Sequence, residues 1–138
     1  MLFTMHTVYL SLGTNLGNKE ENLRVTIQKI DESVGEVVRQ SSFITTEPWG
    51  FESDNTFLNC AVCIHTHHTP LDVLHLTQNI EREMGRLSKS VDGQYHDRVI
   101  DIDILLYDDL EIKTPLLTIP HPLMHKRDFV MIPLKEIQ

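Results

Sequence analysis

Apolar and polar residues alternate along several stretches of the chain, a pattern typical of strands that bury one face. In residues 7–12, Val8 and Leu10 share one parity, while Tyr9 and Ser11 take the other. The pattern of apolar residues predicts three further strands, over residues 36–46, 57–67 and 97–109. Each predicted strand has an apolar side that needs cover by another element.

Two segments between these strands carry apolar residues at helical spacing instead. The first helix is predicted to begin after the N-cap Asn18, with Glu21 at the capping-box position, and to end at Gly35. Its buried stripe is predicted to be Leu23, Ile27, Ile30 and Val34. The second helix is predicted to begin after Thr69, with Pro70 at its first position. Its apolar side is predicted to be Leu71, Leu74, Ile80 and Met84.

The order of these elements predicts the fold class. Strand, helix, strand, strand, helix, strand is the order of an α+β, ferredoxin-like βαββαβ fold. Both helices are expected to cover one face of an antiparallel sheet, and the other face is expected to stay more open. The length of 138 residues fits one domain of ordinary size, so residues 1–138 are expected to form a single domain.

The last predicted strand places two carboxylates on its polar side. Its apolar side is expected to face the helices and consists of Ile100, Ile102, Ile104 and Leu106. Asp101 and Asp103 then lie on the open face, about 7 Å apart by strand rise, where like charges repel. Phe57 and Asn59 share that face by the parity of their own strand. Such a pair favours Mg²⁺, which takes one or two carboxylates and completes its shell with water and phosphate oxygens.

Basic residues precede and follow this strand. They are Arg86, Lys89 and Arg98 before it, and His121, His125, Lys126 and Arg127 after it. Carboxylates beside clustered cations are typical of metal-assisted phosphoryl transfer, in which positioning and charge neutralisation supply most of the rate. The competing interpretation is a solvated strand face with ordinary charges, since a single basic residue is more often a surface charge.

Two residue pairs stay ambiguous from the pattern alone. Gln78 and Glu81 are three apart on the second helix and share one of its faces, which spacing alone favours as an exposed face. Trp49 and Phe129 lie in predicted loops. An aromatic ring in a loop is either a stacking platform for a flat ligand or a satellite hydrophobic contact.

Charge and cysteine content narrow the function classes. The net charge of -8 disfavours a nucleic-acid partner bound through bulk positive charge. No apolar run is long enough to span a membrane and no signal peptide is recognised, which predicts a cytoplasmic protein without a membrane partner. Cys60 and Cys63 are three apart in a strand and point to opposite faces, which disfavours a disulfide. Three histidines follow them without a second Cys pair, so support for zinc is weak.

Five sequence pieces in one order carry a family resemblance. They are SLGTNLG, SSFITTEPWG, FLNCAV, RVIDIDILLYDD and IPHPLMHKRDFVMIPL. In these pieces the chain resembles the 6-hydroxymethyl-7,8-dihydropterin pyrophosphokinases of folate biosynthesis over nearly its whole length. The resemblance implies Mg²⁺-dependent transfer of pyrophosphate from ATP to the hydroxymethyl group of the pterin, with release of AMP. Small-molecule substrates, two Mg²⁺ ions and a monomeric protein are expected.

The resemblance also implies roles for individual residues. Asp101 and Asp103 resemble the pair that holds two Mg²⁺ ions between ATP phosphates, and Arg86 and Arg98 resemble catalytic arginines beside those phosphates. The pterin pocket is implied to consist of Thr46, Phe57, Asn59, Tyr95 and Phe129. The nucleotide side is implied to consist of Gln78, Glu81, Lys89, Ile104, His121 and Arg127. The polar loop over residues 86–97 is expected to close over the phosphates as a lid.

Two other functions stay open on the residues alone. A palm-type two-metal nucleotidyl enzyme, such as a cyclase or polymerase, also places two metal-binding carboxylates on a sheet of this kind. A small regulatory ligand-binding domain of the same fold would not need the paired aspartates. The acceptor of the alcohol proton is open as well, since either a metal-raised acidity of the alcohol or Asp101 as a base accounts for it.

Overall fold

The structure, a computed structural model, describes residues 4–46, 56–85 and 99–138. Its strands are His6–Thr14 (β1), Glu36–Gln40 (β2), Ile44–Thr46 (β3), Phe57–Thr66 (β4), Asp101–Tyr107 (β5), Ile112–Lys113 (β6) and Thr118–Ile119 (β7). Its helices are Lys19–Ser33 (α1), Pro70–Glu83 (α2) and Asp128–Ile137 (α3). A 3₁₀ turn, Met124–Lys126, precedes α3.

β1 and β4 form the centre of the main sheet. The strand order is β2-β4-β1-β5, every neighbouring pair is antiparallel, and β3 pairs with β4 as well. The strand predicted over residues 36–46 is therefore wrong as one element, because it is divided into β2 and β3. Ser41 gives the physical reason, since its side-chain oxygen, in place of a backbone carbonyl, accepts a 2.8 Å hydrogen bond from the Ala61 amide.

α1 and α2 cover one face of the sheet, as predicted. The Asn18 Oδ1 atom accepts from the Glu21 amide at 3.1 Å, and the Thr69 Oγ1 atom accepts from the Asp72 amide at 3.2 Å. Both predicted N-caps are thereby confirmed. The apolar cluster between the helices and the sheet includes the buried residues Leu10, Leu12, Leu23, Ile30, Cys60, Val62, Ile64, Val73 and Ile80.

The predicted apolar side of α2 is wrong at its first turn. Leu71 is 44% exposed. The residues that α2 buries are Val73, Thr77, Ile80 and Glu81. Two of these four are polar, so a search for apolar spacing rotated the predicted buried side of the helix away from its true position.

A third helix, which the pattern did not predict, covers part of the other face. Residues of α3 and the preceding turn pack against the sheet in two clusters, whose buried members are Ala61, Cys63, Leu105, Met124, Val130, Leu134 and Ile137. The face that was expected to stay open is therefore covered over part of its area. Phe129 lies in the first turn of α3, so its placement in a loop is wrong. Pro133 lies inside the helix, and interior prolines ordinarily break helices.

A register shift changes the facing of residues at the end of β5. Leu10 pairs with Ile104 and Tyr9 pairs with Leu106, so Leu105 is the extra residue of a bulge. Leu105 and Leu106 both pack on the α3 side, while Tyr107 joins the cluster under α1 and α2. The prediction that Leu106 faces the helices is therefore wrong. The same prediction is confirmed for Ile100, Ile102 and Ile104.

Cys60 and Cys63 are both free thiols on opposite faces of β4, as predicted. Burial raises the pKa of the Cys60 thiol to about 12. Within the described residues, none of the helices has the length and apolar character needed to cross a membrane.

Candidate functional site

Four strands line up a row of residues on the face opposite α1 and α2. Ile44 pairs with Asn59, Asn59 pairs with Gly13, and Gly13 pairs with Asp101. Neighbouring strands lie about 4.8 Å apart, so the Cα atoms of Asn59 and Asp101 are separated by about 10 Å, with Gly13 between them. The three residues Asn59, Gly13 and Asp101 form a row that joins an amide at one end to a carboxylate at the other across a glycine, with Ile44 flanking the amide end.

Gly13 allows a close approach that no other residue would tolerate without movement. A Cβ atom added at this position would lie 2.8 Å from Asn59 Oδ1 and 3.5 Å from Phe57 Cδ1. Even alanine would therefore have to displace the Asn59 carboxamide. Sequence reasoning did not select Gly13, although a glycine inside a strand often marks such an approach.

The amide end of the row is held by a short side-chain contact. Asn59 Nδ2 donates to Thr46 Oγ1 at 2.6 Å, and only 2% of Asn59 is exposed. This donation fixes the orientation of the carboxamide, with Oδ1 as its remaining acceptor group. Phe57 pairs with Thr46 in the β3–β4 ladder and is half-buried. The structure thus brings together Thr46, Phe57 and Asn59, as the predicted pocket requires.

The carboxylate end of the row lies on β5. Asp101 pairs with Gly13 and Asp103 pairs with Ser11, so both aspartates face away from α1 and α2, as predicted. Both are half-buried, whereas Ser11 between β4 and β5 is only 6% exposed. In the described part of the chain, no group of three or more His, Cys, Asp or Glu residues is arranged to hold a metal ion. The two aspartates form an acidic pair that offers oxygen atoms only.

Glu81 lies behind this end of the row, between α2 and β5. Its Oε2 atom accepts a 2.9 Å hydrogen bond from the backbone amide of Ile102, the residue between the two aspartates. Glu81 is only 4% exposed. The interpretation of the Gln78–Glu81 pair as an exposed face is therefore wrong for Glu81 and confirmed for Gln78.

His121 and Arg127 add polar groups near Asp101. The backbone amide of Leu123 donates to His121 Nδ1 at 3.2 Å, so the proton of the neutral ring is on Nε2. Burial, and then the positive charge of Arg127, lower the pKa of His121, although the charge of Asp101 acts in the opposite direction. His121 is therefore a neutral Nε2–H donor at neutral pH. Arg127 is 4% exposed, and its guanidinium carbon lies 5.6 Å from the centre of the Phe129 ring.

The other residues singled out from the sequence have different placements. The Ile104 side chain is 5% exposed in the cluster under α1 and α2, on the face opposite the aspartates. Phe129 is half-buried on the α3 side. His125 and Lys126 are exposed in the 3₁₀ turn. The predicted residues that lie outside the described ranges are Trp49, Arg86, Lys89, Tyr95 and Arg98, together with the proposed lid over residues 86–97.

The site consists of an acidic pair and a hydrogen-bonded amide on one face of an antiparallel sheet. Comparison of the whole chain with known proteins identifies its family. The family model described as 7,8-dihydro-6-hydroxymethylpterin-pyrophosphokinase (HPPK) matches residues 9–138. A 2-amino-4-hydroxy-6-hydroxymethyldihydropteridine pyrophosphokinase from Porphyromonas gingivalis is 48% identical over 134 residues, covering 96% of this chain and 91% of that protein. Proteins of the same name from Aquifex aeolicus and Bacillus subtilis are each 40% identical, covering 97% and 94% of this chain and 81% and 76% of their own lengths. The chain belongs to the HPPK family, which confirms the resemblance carried by its motifs.

Solved structures agree with this fold. A crystal structure of the Plasmodium falciparum HPPK-DHPS matches with a TM-score of 0.78 at 16% identity, covering 99% of this chain and 42% of that chain. At this identity the likeness concerns the fold alone. The shared fold is a mixed α/β arrangement with an antiparallel sheet and three helices.

Proposed function

We propose that the chain transfers pyrophosphate from ATP to the hydroxymethyl group of 6-hydroxymethyl-7,8-dihydropterin and releases AMP. The observation that carries the proposal is the row Asn59–Gly13–Asp101, which spaces an amide end and a carboxylate end by about 10 Å on one sheet face. A flat heterocycle held at the amide end points its substituent across Gly13 toward the carboxylates. The family membership supplies the identity of both substrates.

The amide end is proposed to bind the pterin. The Thr46 contact orients the Asn59 carboxamide, which offers an acceptor to the donor edge of the heterocycle. Phe57 and Phe129, both half-buried, are proposed to enclose the flat ring by stacking. Tyr95 is proposed as a further pocket residue on the family resemblance alone. The neutral, hydrogen-bonded character of Thr46 and Asn59 suits an uncharged heterocycle.

The carboxylate end fits Mg²⁺ better than a softer metal. Asp101 and Asp103 offer oxygen atoms only, and Mg²⁺ is usually held by one or two carboxylates with water and substrate phosphates in its remaining positions. Asp101 and Asp103 would hold two such ions with the ATP phosphates. The ions would supply neutralisation of the phosphate charge, which is the main requirement of phosphoryl transfer.

The nucleotide is proposed to lie along β5. His121 contributes its Nε2–H donor and Arg127 its guanidinium charge, while Arg86, Lys89 and Arg98 add further positive charge and Gln78 a polar contact. The Ile104 side chain is buried on the other face, so Ile104 is proposed to contact the nucleotide through its backbone. Its N–H points to the same outer edge of β5 as that of Ile102, because hydrogen-bonding direction alternates along a strand.

The proposed reaction requires the hydroxymethyl group of the pterin and the β-phosphorus of ATP to be held in line. The hydroxymethyl oxygen forms a new bond to the β-phosphorus of ATP, and the bond from that phosphorus to the oxygen bridging to the α-phosphorus breaks. The bond pair leaves with AMP, and the alcohol proton passes to Asp101 or to solvent. The rate advantage of alignment is the conversion of a bimolecular encounter into an oriented, nearly unimolecular step.

The proposal includes a specific topology for the fold. The strand order β2-β4-β1-β5, with α1 and α2 on one face, supports a ferredoxin-like βαββαβ core extended by α3. We infer one domain over residues 1–138 that acts in the cytoplasm as a monomer on small-molecule substrates.

Chromatography of the nucleotide products tests the proposal. The protein is incubated with ATP, Mg²⁺ and the hydroxymethyl pterin, and one AMP is expected for each pterin consumed, with no turnover in the absence of Mg²⁺. ADP in equal amount to the product would show attack at the γ-phosphorus and contradict the proposed donor geometry. Release of pyrophosphate would favour the palm-type nucleotidyl reaction instead.

A further inference from the structure

We propose that Asn22, in the first turn of α1, is a positioning residue for the amide end of the row. Its side chain holds the end of β1 and the turn that follows, and it thereby keeps Gly13 against the Asn59 carboxamide. The proposal rests on the proposed function for the identity of the ligand at this end, the pterin. It adds a residue from the other face of the sheet to the requirements of the pterin pocket.

The side-chain amide of Asn22 makes two hydrogen bonds within the protein. Its Nδ2 atom donates to the backbone carbonyl of Leu16 at 2.8 Å and to the Thr14 hydroxyl at 3.2 Å. An amide nitrogen carries two protons, so these bonds use the whole donor capacity of the group. One side chain thus joins α1 both to the last residue of β1 and to the turn that leads into the helix.

The turn between β1 and α1 is folded around this amide. Gly17 has a φ of +67°, in the left-handed region, and a Cβ atom added there would lie 4.0 Å from Asn22 Nδ2. Thr14 is fully buried, and a buried hydroxyl needs a hydrogen-bond partner. Loss of the Asn22 amide would take one partner from this hydroxyl and one from the Leu16 carbonyl, which favours loosening of the turn.

The position of Thr14 in the sheet directs this effect to the amide end of the row. The β1–β4 ladder runs one pair beyond Gly13–Asn59, to Thr14–Leu58, whereas the β1–β5 ladder ends at Gly13–Asp101. In the described part of the sheet, the last residue of β1 is therefore paired with β4 alone. Fraying of this last pair loosens the approach of Gly13 to Asn59 first.

A second contact from the same helical turn reaches β4. Lys19 Nζ donates to Thr56 Oγ1 at 3.3 Å, and Thr56 directly precedes Phe57, the first residue of β4. A lysine in the first turn is unfavourable for the helix itself, because the N-terminus carries a partial positive charge. The first turn of α1 therefore contacts the ends of both strands whose close approach forms the amide end.

Two substitutions test the Asn22–Thr14 contact from both of its sides. Asn22→Ala removes the donor, and Thr14→Val removes the hydroxyl acceptor but keeps the β-branched shape. Gln28→Ala is the matched control, because Gln28 is an exposed amide on the same helix. Hydrogen exchange is measured at the Thr14 and Leu58 amides without ligands. Calorimetry then follows titration with Mg²⁺ and a non-hydrolysable ATP analogue, and afterwards titration of the hydroxymethyl pterin into that complex.

The expected losses are selective for the pterin. Asn22→Ala should speed exchange at Thr14 and Leu58 and weaken pterin binding by about threefold to tenfold, the size expected for losing a neutral hydrogen bond, with unchanged nucleotide affinity. Thr14→Val should weaken pterin binding by about twofold to fivefold. In the double variant the loss should equal that of Asn22→Ala alone, because both changes break the same contact. Gln28→Ala should change neither affinity.

Three outcomes would overturn the proposal. Equal losses of pterin and nucleotide affinity in a folded Asn22→Ala would mean that the amide supports the fold in general. Losses that multiply in the double variant would mean that the two residues act separately. Unchanged pterin affinity in Thr14→Val would mean that the end of β1 does not set the pocket, and this result decides the matter even if Asn22→Ala does not fold. Failure of the unaltered protein to bind the pterin or to form AMP would instead refute the proposed function.

Discussion

The two faces of the sheet are covered in different ways. On one face, α1 and α2 close over a continuous apolar cluster with side chains that are fully buried, such as Leu10, Leu12 and Ile30. On the other face, α3 covers only part of the area, and Asp101 and Asp103 are half-buried beside it. The first face supplies stability and the second supplies the site.

The difference shows how one sheet can carry both tasks. Because side chains alternate along a strand, β5 gives Ile102 and Ile104 to the apolar cluster while it presents Asp101 and Asp103 to the other side. Repulsion between the aspartates is opposed by burial of their strand neighbours. We therefore expect substitutions on the two faces to separate stability from binding.

Truncation in the apolar cluster should give the largest effect on stability. Ile30 of α1 is fully buried, so Ile30→Ala should lower the free energy of unfolding by about 2–5 kcal/mol, and Ile30→Val by about 0.5–1.5 kcal/mol. Pterin affinity of the folded protein should not change. Leu134→Ala in α3 should cost stability too but also weaken pterin binding, because α3 carries Phe129. Urea denaturation measures the stability of Ile30→Ala and Leu134→Ala, and calorimetry measures their pterin binding. Equal losses of pterin affinity in the two variants would contradict the separation of the faces.

Neutralising the acidic pair should give the opposite result, a loss of activity without a loss of fold. Asp101→Asn and Asp103→Asn should each lower kcat by at least about a hundredfold, as removal of a key electrostatic group usually does. The melting temperature without Mg²⁺ should stay the same or rise, because a repulsive pair has been removed. Asp109→Asn is the control, since Asp109 is exposed just beyond β5. Near-normal turnover in either variant would exclude the metal role.

Sequence patterns predicted the first face better than the second for a physical reason. The stripe of α1 and both N-caps depend on residues within a few positions of one another, so local spacing was enough. The bulge at Leu105 and the anchoring of Ile102 by Glu81 depend on contacts between distant segments. The spacing of residues along a single strand or helix does not show which distant segments will contact each other. α3 was missed because Pro133 interrupts an otherwise helical stripe.

The sequence predicted some residues of the candidate site and missed others for the same reason. Parity alone placed Asp101, Asp103, Phe57 and Asn59 on one face, and the strand pairing agrees. The role of Gly13 could not be predicted, because it follows from the register between β1 and β4, which brings it opposite Asn59. The family resemblance selected Thr46, whereas the clustering of basic residues after β5 had already selected His121 and Arg127.

A methyl group on Gly13 should weaken pterin binding selectively. Gly13→Ala places its Cβ atom 2.8 Å from Asn59 Oδ1, so the carboxamide must shift, at about 1–3 kcal/mol for overpacking. KM for the pterin should rise while affinity for the nucleotide analogue stays constant. Gly35→Ala is the comparison, because its Cβ atom would lie 2.5 Å from the His65 carbonyl oxygen, away from the site. Gly35→Ala should lower the stability of the fold without weakening pterin binding more than nucleotide binding. Equal losses of pterin and nucleotide affinity in Gly13→Ala would contradict the role of the row.

The smallest effect should come from the contact that ties the end of α3 to the β2–β3 connection. Glu136 accepts from the Ser42 amide at 2.8 Å and from its hydroxyl at 2.7 Å, and these bonds lower the pKa of Glu136, amide first, against a small opposing effect of burial. A carboxylate whose pKa is lower in the folded protein than in the unfolded chain stabilises the fold at pH values above its pKa in the unfolded chain. This contribution is lost as the pH falls through the pKa that the group has in the folded protein. Glu136→Gln should therefore lower the melting temperature slightly at neutral pH, and the difference from the unaltered protein should vanish in acid. Glu111→Gln removes the same charge at an exposed position and should show no such convergence. A difference for Glu136→Gln that persists unchanged into acid would mean that packing, and not the charge, holds this end of α3.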